Sequence, residues 1–307
     1  MTELASTVAA ARSPDERGRV RATLIGGIAI LLWAALGILT TATGTVPPFE
    51  LVAMSFALAF LLALGKWVVR GERIVGHLAQ PPAVWLLGVG GLFGFHFLYF
   101  LALKHAPAVE ANLINYTWPL LIVLFSALLP GERLRWWHVA GAALGLGGTA
   151  LLVTGGQGVA LSAEHAVGYA AAVGGALAWS SYSVLSRRFG KVPTDAVGGF
   201  CGATAVLALL CHLAFETTVW PSGGEWLAVL AMGLGPVGVA FFVWDYGVKR
   251  GNITALGGAS YATPLLSTLL LVAFGRADLT PAIMAACLLI VGGAVLAARD
   301  LWDRRRR

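Results

Sequence analysis

The chain has 307 residues, of which 58% are hydrophobic and 12% charged, and its formal net charge is +6. A soluble protein of this length needs more charged surface, so the composition excludes a soluble domain and predicts an integral membrane protein. The positive charge requires no nucleic-acid partner, because Lys and Arg near lipid orient membrane helices. Cys201, Cys211 and Cys287 lack the spacing of a disulfide pair or a metal site. We expect no metal and no cofactor.

Apolar stretches of about 20 residues follow one another along the chain, and each is long enough to cross a hydrocarbon core of about 30 Å as a helix. The ten predicted spans are 22–43, 48–68, 83–103, 108–129, 136–154, 167–187, 195–215, 225–247, 254–273 and 280–298. A polar tail at 1–21 precedes them, the loop 155–166 divides them, and a basic tail at 299–307 follows. Because these stretches lack the alternation of barrel strands, the sequence predicts an all-α integral membrane protein.

Basic residues are distributed unequally between the two sides of the predicted membrane. With the N-terminus inside, every Lys and Arg except Lys104 and Arg276 falls on the cytoplasmic side. This distribution follows the positive-inside rule, and the loss of one span from the count would invert every loop after it. The pattern therefore predicts ten spans with both termini in the cytoplasm.

The second half of the chain repeats the first about 145 residues later. The same residue recurs in the pairs Trp33 and Trp179, Pro47 and Pro193, Tyr116 and Tyr261, and Pro119 and Pro264. An odd number of spans per copy turns the second copy over in the bilayer, as in many secondary transporters. The sequence thus predicts ten transmembrane helices as two inverted-topology five-helix repeats, 22–154 and 167–298, joined by a periplasmic linker loop.

Span four carries a polar stripe. Its members are three or four residues apart on one helical face: Asn112, Asn115, Tyr116 and Pro119. Polar groups are costly in hydrocarbon, so the stripe is either a contact between helices or the lining of a wet cavity. Pro119 and its equivalent Pro264 each remove a backbone hydrogen bond and predict kinks where transporters of this type bind substrate.

Span three is rich in aromatic residues and contains His96, the most deeply placed ionisable group of the predicted spans. A lone histidine in an apolar helix is either a hydrogen-bonded structural residue or a proton carrier. Tyr99 shares its helical face. The position equivalent to Tyr99 in span eight is Trp244, which is either a cavity residue or an aromatic residue of the membrane interface.

Three further features leave alternatives open. Trp33 and Trp179 occupy equivalent places on spans one and six, where they either face each other around an aromatic substrate or pack ordinarily. Asp245 precedes Lys249 by four residues, the spacing of a local ion pair, with a coupling carboxylate as the alternative. Small residues on span five, beginning at Gly141, permit close helix packing within one chain or in a dimer.

The stretch ALKHAPAVEANLINYTWP, which begins at Ala102, and its weaker echo from Gly247 resemble the drug/metabolite transporter superfamily, in particular its bacterial aromatic amino acid exporters. The resemblance covers about residues 22–298. It implies ten helices around a central cavity lined by spans one, three, four, six, eight and nine. The substrate-binding residues it implies are Trp33, His96, Tyr99, Asn112, Asn115, Tyr116, Trp179, Trp244 and Tyr261. The second copy lacks the asparagine pair, which leaves the symmetry of the site open.

We expect a secondary transporter of the bacterial inner membrane rather than an enzyme. It exports small amphipathic metabolites, foremost aromatic or other neutral amino acids, by alternating access. The alternative is a multidrug or nucleotide-sugar transporter of the same superfamily. No ATP-binding motif is present, so a gradient of substrate or protons must drive transport. The expected partners are a small-molecule substrate, the lipid bilayer and, if His96 carries them, protons; the oligomeric state stays open.

Overall fold

The computed structural model describes residues 14–159, 161–297 and 299, and these residues form helices without any strand. The first half contains α1 Pro14–Ala34, α2 Leu36–Thr41, α3 Pro48–Val69, α4 Ile74–Leu78, α5 Pro82–Val89, α6 Phe95–His105, α7 Ala108–Asn115, α8 Trp118–Ser126 and α9 Trp136–Thr154. The second half contains α10 Ala166–Leu185, α11 Ala196–Phe215, α12 Glu225–Leu234, α13 Ala240–Arg250, α14 Ile253–Ala259, α15 Ala262–Ala273 and α16 Pro281–Ala297. The all-α fold class is confirmed. Most of the two predicted tails lies outside the described residues.

Eight helical stretches of the described chain are long and apolar enough to cross a membrane. They are Glu16–Thr41, Pro48–Val69, Pro82–His105, Ala108–Ser126, Trp136–Thr154, Ala196–Phe215, Glu225–Arg250 and Ile253–Ala273. These coincide with eight of the ten predicted spans. The sixth and tenth fall on α10, which is less apolar, and on α16, which is shorter. The chain is therefore a multi-pass membrane protein, and its ten-span inverted arrangement stays a prediction.

Helices from the two halves of the chain pack against each other in pairs. The four largest contacts between helices join α9 to α16, α3 to α11, α1 to α13 and α6 to α10. Each pair takes one helix from each half. The apolar core therefore lies between the halves, and any site formed there must use residues from both.

Glycines let the helix backbones of two of these pairs come into direct contact. A Cβ atom at Gly141 in α9 would lie 2.5 Å from the carbonyl oxygen of Gly293 in α16. A Cβ atom at Gly247 in α13 would lie 2.5 Å from the Cα atom of Gly26 in α1. A larger residue at either crossing would push the helices apart. Gly141, the first of the small residues on predicted span five, therefore packs against another helix of the same chain.

The helices of the two halves are interrupted at equivalent places. A π-helical turn at Gly90–Gly94 joins α5 to α6, and another at Gly235–Val239 joins α12 to α13. Two residues separate α7 from α8, and two separate α14 from α15. Pro119 and Pro264 lie in the first turn of α8 and α15, where backbone N–H groups have no partner within the helix, so the N–H that proline lacks is not missed. Each two-residue break therefore falls just before one of these prolines.

Candidate functional site

Tryptophans from four helices meet between the two halves of the fold. These are Trp33 on α1, Trp118 on α8, Trp179 on α10 and Trp244 on α13. All six pairs have ring centroids 5.1 to 6.4 Å apart. The pair that the repeat singles out, Trp33 and Trp179, is T-shaped with centroids 5.5 Å apart. We call the four residues, each at most 8% exposed, the tryptophan cluster.

The sequence pattern does not single out Trp118. Trp33 and Trp179 stand out because both copies carry tryptophan, whereas the position equivalent to Trp118 is Thr263. The local signal is the Asn-Tyr-Thr-Trp-Pro run at 115–119, which belongs to the stretch that carries the family resemblance and places Trp118 directly before Pro119. A residue that breaks the repeat can thus belong to the centre of the site.

Two indoles of the tryptophan cluster have protein partners. The N–H of Trp33 donates to the carbonyl oxygen of Pro236 at 3.0 Å, and that of Trp244 donates to Ser183 Oγ at 3.0 Å. Within the described chain, no group accepts a hydrogen bond from the other two indoles. Two N–H donors are therefore available to a ligand, while the other two attach the cluster to a π-helical turn and to α10.

A half-buried polar wall on α6, α7 and the short break after α7 adjoins this cluster. It consists of His96, Tyr99, Asn112 and Tyr116. The hydroxyl of Tyr99 donates to Asn112 Oδ1 at 2.6 Å. The ring of Phe95 stacks on Tyr99 with centroids 6.0 Å apart, and it lies 5.9 Å from Trp179. Phe95 thus connects the polar wall to the tryptophan cluster.

His96 lies among phenyl rings. Its ring centroid is 5.2 Å from those of Phe56 and Phe95 and 6.3 Å from that of Phe100. Nδ1 donates to the carbonyl oxygen of Leu92 at 2.7 Å, and no ion pair involves the ring in the part of the chain described. These surroundings favour a neutral imidazole whose Nε2 is an acceptor. A role as a hydrogen-bonded structural residue therefore accounts for every contact that His96 makes, and its role as a proton carrier stays a prediction.

Asn115 carries an unpaired acceptor. The residue is 6% exposed, and its buried Oδ1 has no hydrogen-bond partner among the described groups. A Cβ atom at Gly175 in α10 would lie 3.6 Å from this oxygen, so the oxygen points across the boundary between the halves. An unsatisfied buried acceptor costs about 1–3 kcal/mol. A ligand donor or a water molecule at Oδ1 would remove that cost.

Tyr261 lies apart from the other predicted site residues. It packs with Val123 and Leu265 in a separate apolar cluster, and its hydroxyl oxygen accepts the N–H of Leu120 at 3.2 Å. A Cβ atom at Gly145 would lie 2.4 Å from its ring. Tyr261 therefore stabilises the junction of α8, α9 and α15, and the structure does not bring it to the tryptophan cluster or the polar wall.

The predicted ion pair at the end of α13 is present and buried. Lys249 Nζ lies 2.9 Å from Asp245 Oδ2, and the side chains are 5% and 1% exposed. Thr194 donates to Asp245 at 2.8 Å, and Lys249 donates to the carbonyl oxygen of Val192 at 3.2 Å. Trp244, the preceding residue, is fully buried, so it is not an aromatic residue of the membrane interface.

One group of described side chains is close enough to bind a cation. Ligand atoms of Glu72, His77 and Asp195 lie within 4.8 Å of one another. Nε2 of His77 is 2.9 Å from Glu72, and the ammonium of Lys66 pairs with Asp195. Because Lys66 already supplies a positive charge, these contacts give no reason to assign a metal ion there.

Apolar spans, two similar halves, and aromatic and polar side chains that meet between them are features of a membrane transport protein. The profile of the EamA-like transporter family matches residues 21–154 and, a second time, residues 166–299. The chain belongs to this family. The resemblance to the drug/metabolite transporter superfamily is therefore confirmed, and the family assignment favours a transporter over an enzyme.

Two curated relatives share one description. The chain is 56% identical over 282 residues to the aromatic amino acid exporter YddG of Ancylobacter novellus, covering 91% of this chain and 97% of the relative. It is 28% identical to the aromatic amino acid exporter YddG of Escherichia coli, with the same coverage. A crystal structure of a protein 55% identical to this chain superposes with a TM-score of 0.87, covering 91% of this chain and 99% of the other.

Proposed function

We propose that this protein is a secondary exporter of aromatic and other neutral amino acids in the inner membrane of a bacterium. Its path runs between two inverted five-helix repeats, 22–154 and 167–298, joined by the loop 155–166, with both termini in the cytoplasm. Three observations support this proposal: the family profile matches once in each half, the largest helix contacts pair the halves, and relatives are named aromatic amino acid exporters.

The observation that carries the proposal is the tryptophan cluster with its two unpaired indole donors. An aromatic side chain of the substrate packs against the rings of Trp118 and Trp179. The indole N–H groups donate to the substrate carboxylate. The substrate ammonium donates to the orphan Oδ1 of Asn115. A zwitterion supplies the acceptors and donors that this arrangement lacks, and it needs no fixed charge in return.

The other predicted site residues have supporting roles in this scheme. Trp33 and Trp244 hold the tryptophan cluster in place through their own hydrogen bonds. Tyr99 orients Asn112, and Nε2 of His96 accepts from a polar substrate group. We leave Tyr261 out of the binding site because its hydroxyl and ring are engaged elsewhere.

The charges around the site favour amino acids over nucleotide sugars. A nucleotide carries phosphate charges that need cationic partners in the cavity. Lys249 is buried against Asp245, and Lys104 is exposed at the end of α6. Neither ammonium is available between the halves, whereas a neutral zwitterion needs none. Transport then follows the gradient of the amino acid itself or is coupled to protons.

The test is a counterflow assay with purified protein in liposomes. Vesicles loaded with unlabelled tryptophan, phenylalanine, leucine or a nucleotide sugar are diluted into labelled tryptophan, with and without a pH gradient. We expect label to accumulate in the vesicles loaded with amino acids and not in those loaded with the nucleotide sugar. Absence of label in every vesicle loaded with an amino acid would reject the amino acid assignment, and equal accumulation with the nucleotide sugar would reject the selectivity for amino acids. Dependence on the pH gradient would establish proton coupling.

A further inference from the structure

A groove of about 520 Å³ lies between α1, α3 and α13. Its wall is apolar along most of its length and includes Ile25, Leu62, Phe242 and Tyr246, whereas Lys66 and Asp195 lie at one end. No residue of the tryptophan cluster or the polar wall lines it. A space of this size could hold many water molecules, but apolar walls offer them few hydrogen-bond partners. The groove therefore suits an apolar chain.

Each of the three helices carries a cation one turn beyond this apolar wall. Arg21 precedes Ile25 by four residues, Lys66 follows Leu62 by four, and Arg250 follows Tyr246 by four. Residues four apart share a helical face, so the three cations point along the groove. The guanidinium carbon of Arg250 lies 4.6 Å from the ring centroid of Tyr246. The end of the groove is therefore basic.

Hydrogen bonds and an ion pair place the basic ends of the three helices beside one another. The N–H of Asn252 donates to Thr23 Oγ1 at 2.8 Å, which places the end of α13 beside the start of α1. Thr194 donates to Asp245 at 2.8 Å, and the neighbouring Asp195 pairs with Lys66. The basic ends of α1, α3 and α13 thus meet in one layer.

Two of the three cations form no salt bridge with the protein. Lys66 is paired with Asp195. In the described chain no salt bridge involves Arg21 or Arg250, and both are exposed; Asp245 attracts Arg250 but is itself paired with Lys249. Arg70, one turn beyond Lys66, adds a further exposed cation, 3.8 Å from Glu72. An anion at this end would find two guanidinium groups that are free to form charge-assisted hydrogen bonds.

We propose that the groove binds an anionic phospholipid of the cytoplasmic leaflet. One acyl chain lies along the wall, and the phosphate sits between Arg21 and Arg250. The wall from Val239 to Tyr246 is about 10 Å long, so it seats the part of the chain nearest the headgroup. Basic pockets between helices on the cytoplasmic side suit anionic headgroups. This assignment of the leaflet rests on the topology in the proposed function.

The experiment compares phosphatidylglycerol with phosphatidylcholine of identical acyl chains. Delipidated protein in detergent receives each lipid at equal mole fraction, and the midpoint of thermal unfolding and the bound lipid per protein are measured. We expect phosphatidylglycerol to raise the midpoint by several degrees more than phosphatidylcholine, because a ligand of the folded state stabilises it. The double variant Arg21→Gln/Arg250→Gln should lose this difference and retain about tenfold less phosphatidylglycerol.

Two further variants separate the groove from general charge. The double variant Arg133→Gln/Arg188→Gln removes the same charge from the cytoplasmic side without touching the groove, and it should bind phosphatidylglycerol as the parent does. Val243→Trp should fill the groove and reduce the retention of both lipids. Equal losses in both double variants would show diffuse attraction and overturn the site. A midpoint shift reproduced by glycerol 3-phosphate alone would show a plain anion site and overturn the role of the acyl chain.

Transport measured in the same preparations keeps this proposal distinct from amino acid export. Counterflow in liposomes of phosphatidylcholine alone reports export without the lipid. In one outcome, counterflow is absent in all lipids tested while the preference for phosphatidylglycerol still depends on Arg21 and Arg250. That result would reject export and support the lipid site. If counterflow is normal and the selectivity is absent, the lipid site is rejected.

Discussion

The polar wall of the first half and the equivalent positions of the second half lie on helices with corresponding boundaries, but their side chains differ in polarity. The positions of the wall correspond to Phe241, Trp244, Gly257 and Tyr261. Both sets are preceded by a π-helical turn and interrupted before a proline. The first set is polar and half-buried, whereas the second is buried. The second half therefore keeps the helix boundaries of the first, but it does not keep the polar, half-buried side chains of the wall.

A single equivalent pair shows how the two halves differ. Asn115 and Ser260 occupy the same repeat position at the end of α7 and α14. The hydroxyl of Ser260 donates to the carbonyl oxygen of Leu256 at 2.7 Å, so it is satisfied within its own helix. The Oδ1 of Asn115 has no partner in the described chain. The first half thus has an open acceptor at the position where the second half has a hydroxyl whose hydrogen is already donated.

The largest expected effect tests the residues at which the halves meet. Trp179→Ala removes a ring that contacts every other member of the tryptophan cluster. Deletion of a buried tryptophan side chain costs about 3–5 kcal/mol of stability. We expect tryptophan counterflow to fall about 100-fold, since both ring packing and a hydrogen-bond donor are lost. Counterflow and thermal unfolding are measured on the same purified protein.

Trp220→Ala is the matched control for this variant, because Trp220 is 73% exposed. An exposed tryptophan away from the site should change stability by no more than about 0.5 kcal/mol and leave counterflow unchanged. Trp179→Phe keeps an aromatic ring but not the indole donor, so it should recover stability better than transport. Equal transport by Trp179→Ala and the parent would remove the tryptophan cluster from the binding site.

The next effect tests whether the buried ion pair of the second half stabilises the fold. Asp245→Asn leaves the buried ammonium of Lys249 without its carboxylate. Breaking a buried ion pair from one side costs about 3–5 kcal/mol, mostly through the uncompensated charge. We expect a lower unfolding midpoint with little change in the KM for tryptophan in the folded fraction. The double variant Asp245→Asn/Lys249→Met should recover most of the stability. Loss of pH-gradient coupling at unchanged stability would instead make Asp245 a coupling carboxylate.

Hydropathy and charge were enough to predict the all-α membrane fold, because lipid imposes long apolar helices on the sequence. The site was only partly predictable. The match between the two sequence repeats predicted Trp33 and Trp179. It did not predict Trp118, because the equivalent residue is Thr263. Symmetry also favoured Tyr261, which packs instead beside a glycine on α9. Repeats preserve backbone positions, whereas the neighbours that decide a side chain's contacts come from other helices.

A smaller effect tests the open acceptor of the first half. Asn115→Leu removes an oxygen that our proposal pairs with the substrate ammonium, so the KM for tryptophan should rise by about tenfold. Stability should fall little, or even rise, because an unsatisfied polar group leaves the interior. Ser260→Ala is the control at the equivalent position and should leave the KM unchanged. A similar KM increase in both variants would contradict the asymmetry between the halves.

The smallest expected effect compares two tyrosine hydroxyls. Tyr99→Phe removes the hydrogen bond to Asn112, whereas Tyr261→Phe removes the acceptor for the N–H of Leu120. Each bond is worth about 0.5–1.5 kcal/mol, so each change should be modest. We expect Tyr99→Phe to raise the KM for tryptophan about threefold through a less ordered Asn112, at nearly unchanged stability. Tyr261→Phe should lower the unfolding midpoint and leave the KM unchanged. The reverse pattern would place Tyr261 rather than Tyr99 beside the substrate, and it would contradict the assignment of the polar contacts to the wall of the first half.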